Sequence, residues 1–218
     1  MVATPAEIRA LIEVAEQSRR PEYARAILVA ATTGLRRAEL CGLRRRRDLD
    51  LVGGVVTVSS TVVALPNMAV EEIPTKNRRV RTIALDDLTL SILAAQLEML
   101  EQRARAAKVE LVDDAYVFSD AIDGSVPWKP DSVTQYFNRL RDRAGLGHLN
   151  LHSLRKFMET YGQEMGYSMT QVALRAGHNP AVAARYYSGK VAETDRELAR
   201  AVAALLVGPA KAGGTFGF

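Results

Sequence analysis

One cysteine, three histidines and one tryptophan in 218 residues each remove a class of protein. A lone Cys41 cannot build an internal disulfide framework and fits a reducing setting, so a cytoplasmic location is expected. His148, His152 and His178, even with that cysteine, offer neither zinc-finger nor HExxH spacing, so no metal site and no cofactor are expected. The acidic pairs Asp48/Asp50, Asp86/Asp87 and Asp113/Asp114 sit at expected turns and helix starts, where carboxylates cap backbone amides. A two-metal nuclease is disfavoured on that ground. Aromatic residues make up 6% of the chain and apolar residues 48%, so the core is expected to be aliphatic. No run is apolar enough to span a membrane, and no signal peptide is expected. The longest uncharged stretch, residues 52–70, is β-branched and broken by Gly53, Gly54 and Pro66, and reads as strands.

Charge is modest in total and uneven in placement. The formal net charge is +4. Arg36 and Arg37 are followed by Arg44, Arg45, Arg46 and Arg47, and a second cluster holds Lys76, Arg78, Arg79 and Arg81. Such clusters suit a phosphate-binding surface, and a solvated helix face explains them about equally well.

Periodicity and end signals give an α+β domain, mainly α-helical. Thr4, Pro5 and Glu7 open a first helix with Ile8, Leu11, Ile12 and Ala15 on one face. A largely apolar helix over 22–31 is expected to be central, and a short helix follows the break at Gly34. Strands are expected over 55–63, 70–73 and 79–85, forming a small antiparallel three-stranded sheet on one side. A long helix over 87–109 should bury Leu90, Leu93, Leu97 and Leu100. Residues 117–132 read as a loop. Helices are then expected over 132–144, 154–165 and 170–176, a short one under the tyrosines, and a last one over 193–206. The tail 209–218 reads as a mobile end or one held by a partner.

Four short stretches could carry chemistry. In "HSLR", His152 and Arg155 are three apart and can point into the same space. Arg brings a fixed fork of donors for a phosphate, and His can move a proton near neutral pH. In "TGLRRAEL", Glu39 lies three residues after Arg36 and could fix its rotamer, as could an ordinary helix salt bridge. "PTKNRR" sets Lys76 in a turn between strands. "GHNPAVAARYYSG" places His178 eight and nine residues before Tyr186 and Tyr187. Singly, each has a bland explanation: a surface arginine, a core histidine, packing aromatics.

Taken in order, TGLR with its glutamate, TK in a hairpin, HxLR, GH and a tyrosine about nine residues on resemble the tyrosine recombinase family. The likeness is to phage-type integrases, especially those of actinobacterial hosts, and it covers nearly the whole chain. It implies that Arg36 and Arg155 clamp the scissile phosphate and that Lys76 protonates the leaving 5′ oxygen. His152 and His178 correspond to the two histidine positions, with His152 as proton acceptor and Glu39 supporting Arg36. Tyr187 corresponds to the nucleophile. Residue geometry agrees, since Tyr186 shares a face with Val182 while Tyr187 lies over the small Ala183 and Ala184; Tyr186 stands in reserve. Lys156 stands where the family commonly has a histidine. Arg44, Arg45, Arg46 and Arg78 are the candidate DNA contacts, with a solvated face as the alternative for the arginine run.

The same resemblance implies metal- and ATP-independent strand transfer through a 3′-phosphotyrosyl intermediate at double-stranded DNA attachment sites, as in phage integration. It implies a tetramer on DNA held by the C-terminal helix, an accessory DNA-bending protein, and a place on the DNA of a bacterial host cell. Residues 1–208 are expected to be the catalytic domain and 209–218 a flexible tail, with the family's N-terminal core-DNA-binding domain absent. A type IB topoisomerase and a non-catalytic DNA-binding relative remain the alternatives. For the terminal helix, the alternative is that Val202, Leu205 and Leu206 pack on their own domain.

Overall fold

A computed structural model describes residues 2–65, 69–75, 80–178 and 191–207. Local end signals set most of the helices. The Thr4 hydroxyl accepts from the Glu7 amide while the Glu7 carboxylate accepts from the Thr4 amide, closing a capping box that starts α1 (Pro5–Glu16). Its buried face is Ile8, Leu11, Ile12 and Ala15, as the spacing requires. Helix α2 (Glu22–Thr33) buries ten of its twelve residues and packs against α1, α4 (Asp87–Ala106), α6 (Leu151–Glu164) and α8 (Val191–Val207). A helix apolar on nearly every side belongs at the centre, and this one is the axis of the core. It ends at Gly34, whose φ of 70° is the left-handed conformation that favours glycine. Helix α3 (Arg37–Gly42) starts three residues later.

The β-branched run does not form one strand. It breaks at Ser59 into β2 (Val55–Val58) and β3 (Ser60–Ala64), which join different sheets. Strand β2 lies between β1 (Leu49–Asp50) and β5 (Arg81–Ala84) in a three-stranded antiparallel sheet, while β3 pairs with β4 (Val70–Pro74) in a separate two-stranded one. The two serines are the physical cause. Ser59 Oγ donates to Asp48 Oδ1 at 2.7 Å, and Arg47 Nη2 donates to Ser60 Oγ at 2.7 Å. These polar ties turn the chain at the middle of an apolar run. The expected three-stranded sheet therefore exists with different members: β1 enters it, and the hairpin β3–β4 leaves.

Helix α4 buries Thr89, Ile92, Leu93, Gln96, Leu100 and Ala104, so the expected face is rotated, with Leu90 and Leu97 only partly buried. Gln96 is tolerated inside because its amide donates to Val117 O at 2.9 Å and its oxygen accepts from Arg25 at 2.9 Å. Helices α5 (Pro130–Arg143), α6 and α7 (Met169–Ala176) lie within a few residues of expectation, α5 and α6 opening slightly earlier. Tyr23 stacks on both Trp128 and Tyr136, with ring centroids 4.3 and 4.1 Å away. Helix α8 packs on α1, α2, α6 and β5, and it buries Val202 and Leu206 in its own domain while Leu205 is partly buried. No helix among the described residues is long and apolar enough to cross a membrane.

Candidate active site

Three arginines and a histidine line one cleft. Leu35, Arg36, Arg37, Ala38, Thr134, Asn150, Leu151, His152 and Arg155 line a volume of about 510 Å³. The turn from α2 into α3 supplies one wall and the first turn of α6 the other. Asn150 caps α6, accepting from the Ser153 amide at 3.1 Å, so His152 and Arg155 face the cleft from a helix start that is fixed in register.

Arg155 is held from three sides. Its side chain is 2% exposed; Nη1 donates to Gly34 O at 2.9 Å and Nε donates to Glu159 Oε1 at 2.8 Å. Nη2 lies 3.2 Å from His178 Nε2. The left-handed turn at Gly34 thus both ends α2 and presents a carbonyl to the guanidinium. A side chain at Gly34 would also run into Met158 Cε. Burial, and then the nearby charge of Arg36, push the Arg155 pKa down to about 10. It stays cationic at neutral pH, but as one of two crowded positive groups that an anion would relieve.

Arg36 is more open, with its side chain 46% exposed. Its Nη1 donates to Glu39 Oε1 at 2.8 Å and its Nη2 to Gly177 O at 3.2 Å, while its amide donates to Glu39 Oε2 at 2.8 Å. Glu39 is 3% exposed and also receives both terminal nitrogens of Arg81, at 2.9 and 2.7 Å. Burial alone would raise its pKa. The Arg81 hydrogen bonds and charge outweigh that, with Arg36 adding, and hold it below the usual carboxylate range.

His178 follows the left-handed cap Gly177 of α7, and its Nε2 lies 2.8 Å from Glu159 Oε1. A carboxylate at the shorter distance favours an Nε2–H donating to Glu159. Glu159 therefore joins Arg155 and His178 through a single oxygen. His152 has its pKa lowered, by burial first and then by the charge of Arg155, so neutral imidazole is favoured. Among the described residues no group of histidines, cysteines and acids could hold a metal ion.

The arginine run after α3 lies away from the cleft. Arg44 stacks on Tyr116 at 3.7 Å, donates to Glu72 through Nε and Nη2, and reaches Asp114 O at 2.8 Å. Arg45 pairs with Glu101, Arg46 with Asp113, and Arg47 with Glu72 and Asp48. None of these partners lines the cleft. Arg44 and Arg47 instead tie the β3–β4 hairpin, through Glu72 on β4, to the turn after α3. Lys76, Arg78, Tyr186 and Tyr187 lie outside the described residues, as does the tail. Two polar residues in direct contact with the arginine cluster were not singled out from sequence. In the sequence Arg81 is legible only as a member of a basic cluster, whereas Glu159 carries a readable signal, four residues after Arg155 on the same helix.

The architecture is that of a tyrosine-recombinase catalytic domain: a mainly helical body with small antiparallel sheets beside a basic cleft. It resembles the Tn1549 transposon integrase, solved in complex with transposon right end DNA, with a TM-score of 0.69 and 21% identity over 90% of this chain and 65% of that one. It also resembles the integrase of mycobacterium phage Brujita, with a TM-score of 0.60 and 18% identity over 94% of this chain and 57% of that one. The chain belongs to the phage integrase family, which it matches over residues 2–193. A prophage phiRv2 integrase of Mycobacterium tuberculosis is 27% identical over 177 residues, 81% of this chain and 45% of that protein. The chain thus spans less than half the length of the curated relatives it matches.

Proposed function

We propose that residues 1–208 form the catalytic domain of a site-specific DNA recombinase that cleaves and rejoins DNA through a 3′-phosphotyrosyl intermediate. The observation that carries this is the convergence of Arg36, His152 and the buried Arg155 on one open cleft, with each arginine oriented by its own carboxylate. Family membership and the DNA-bound state of the Tn1549 integrase support DNA as the partner.

In this reading Tyr187 Oη attacks phosphorus, its proton passes to His152, and the bond from phosphorus to the 5′ oxygen breaks. Lys76 protonates that oxygen. The pentacoordinate phosphorane gains negative charge between two guanidiniums already held apart, so little reorganisation is needed as charge develops. Arg155 uses Nε and one hydrogen of Nη1 for positioning and keeps further donors for the phosphate. A tyrosine with a pKa of about 10 needs this positive field and a base to attack near neutral pH. A free 5′ hydroxyl from a second strand reverses the same steps and joins, without ATP. The assembly implied is a tetramer on two attachment sites in the host cytoplasm, with an accessory DNA-bending protein and with Arg44, Arg45, Arg46 and Arg78 near the DNA backbone. The arginines of that run would have to share their present carboxylates.

The test is a covalent trap. Wild type, Tyr187→Phe and Tyr186→Phe are incubated with nicked suicide duplexes carrying the end sequence of the element that encodes the chain, or with a pool of randomised nicked duplexes. Adducts are resolved on denaturing gels. An adduct lost only in Tyr187→Phe supports the proposal and the assignment. Loss only in Tyr186→Phe moves the nucleophile by one residue. Binding without any adduct overturns catalysis, and plasmid relaxation without strand joining overturns recombination.

A further inference from the structure

Arg81 opens β5, and its register partner Val58 closes β2, so its backbone is anchored in the three-stranded sheet. Its side chain leaves the sheet and meets two other parts of the domain. Nη1 and Nη2 donate side by side to the two oxygens of Glu39, at 2.9 and 2.7 Å. Nε donates to Arg175 O, in the last turn of α7, at 3.2 Å. Gly177, the next turn on, packs so close that an added Cβ would lie 2.8 Å from Arg81 Cζ. Both structures that Arg81 grips lead to the cleft. Glu39 holds the backbone amide and Nη1 of Arg36, and Gly177 accepts Nη2 of the same arginine and precedes His178.

We propose that Arg81 is a positioning residue for strand cleavage, setting Arg36 through Glu39 and the His178 turn through Arg175 O and Gly177. The inference rests on the recombinase reading above. Two features separate this from ordinary packing. The Arg81–Glu39 pair is a two-pronged fork, which fixes orientation as well as distance, and lysine cannot reproduce it. Glu39 is also shared, so one carboxylate aligns a half-buried arginine with a half-exposed one. Without Arg81, Glu39 keeps only the amide and Nη1 of Arg36, and the pair loses its tie to β5.

The experiment uses a duplex on which the wild type forms its adduct, so absence of the wild-type adduct would sink the recombinase reading and not this one. Single-turnover adduct formation at saturating duplex is measured for wild type, Arg81→Lys, Arg81→Met and the double variant Arg81→Met/Glu39→Gln, beside duplex affinity and thermal stability. Misplacing a reacting group by about 1 Å is worth about 100-fold in rate, and a loss of that order is expected for Arg81→Met with affinity nearly unchanged. Arg81→Lys should recover only part of it. The double variant removes the buried charge left behind, so its stability should return while its rate stays low. A rate that returns together with stability, or an Arg81→Met rate equal to wild type, overturns the proposal.

Discussion

Replacing Asp195 by alanine tests how α8 is held to the rest of the domain. Arg175 on α7 has a side chain that is 0% exposed, and its Nη1 pairs with Asp195 Oδ1 at 2.8 Å. The same guanidinium donates to Thr32 O on α2 at 3.0 Å and to Ala84 O on β5 at 3.0 Å. Asp195 Oδ2 meanwhile accepts from the Ala84 amide at 2.6 Å. Removing the carboxylate leaves a buried cation without its counter-charge and a buried amide without its acceptor. Breaking a buried pair costs about 3–5 kcal/mol, and the carbonyls that still receive Arg175 argue for the lower half of that range. For a chain of this size about 3 kcal/mol lowers Tm by about 6–12 °C. Asp195→Asn keeps an acceptor and should lose less than half as much. Urea unfolding followed by circular dichroism reads both variants, with the slope m checked for change. Because the pair is buried, 1 M NaCl should narrow the gap only slightly. A loss below about 1 kcal/mol, or one abolished by salt, would mean that the pair behaves like a surface ion pair and that the reasoning is wrong.

Three further outcomes follow from the site and the hairpin. His152 has a lowered pKa, so its basic form persists as pH falls to 6.5 and is lost only below it; the acid limb of single-turnover cleavage should lie under pH 6.5, and a limb above that value would remove His152 as the base. Glu72 is held down at about 2 because Ser60, Arg44, Tyr116 and Arg47 outweigh its burial. With its folded pKa depressed, its contribution is present above pH about 4.5 and is lost as pH falls toward 2; after discounting for solvent screening Glu72→Gln should remove about 1 kcal/mol at neutral pH and flatten that acid slope. Inorganic phosphate should raise the Tm of wild type more than that of Arg155→Lys at equal ionic strength, since binding to the folded state at 100 times Kd adds about 2.7 kcal/mol. Equal shifts in the two proteins would show that phosphate does not occupy the cleft.

What the sequence made legible was local. Thr4 with Glu7 and the break at Gly34 act within a few residues of themselves, and the helices they bound lie close to expectation. The rotated face of α4 depends on Gln96 reaching Val117 and Arg25, 21 and 71 positions away, and periodicity carries no trace of that. The split of the β-branched run depends likewise on Asp48 and Arg47 reaching Ser59 and Ser60. In the site, the convergence of Arg36, His152 and Arg155 was implied by motif order, not by any property of one segment. Arg81 stayed invisible because its partner Glu39 is 42 residues distant, whereas Glu159 could have been read from the same helical spacing that linked His152 to Arg155.

The corner at Ser59 has a consequence for how the domain can change. Val58 and Arg81 are register partners, so the stretch between them, which includes the β3–β4 hairpin, is closed at a neck where its two ends meet. Closing a loop depends weakly on its length: doubling it costs about 0.6 kcal/mol. Insertions or deletions near the hairpin tip therefore leave the neck, and the arginine standing in it, nearly undisturbed. The reach of one arm of the molecule can drift between relatives while the cleft stays in register.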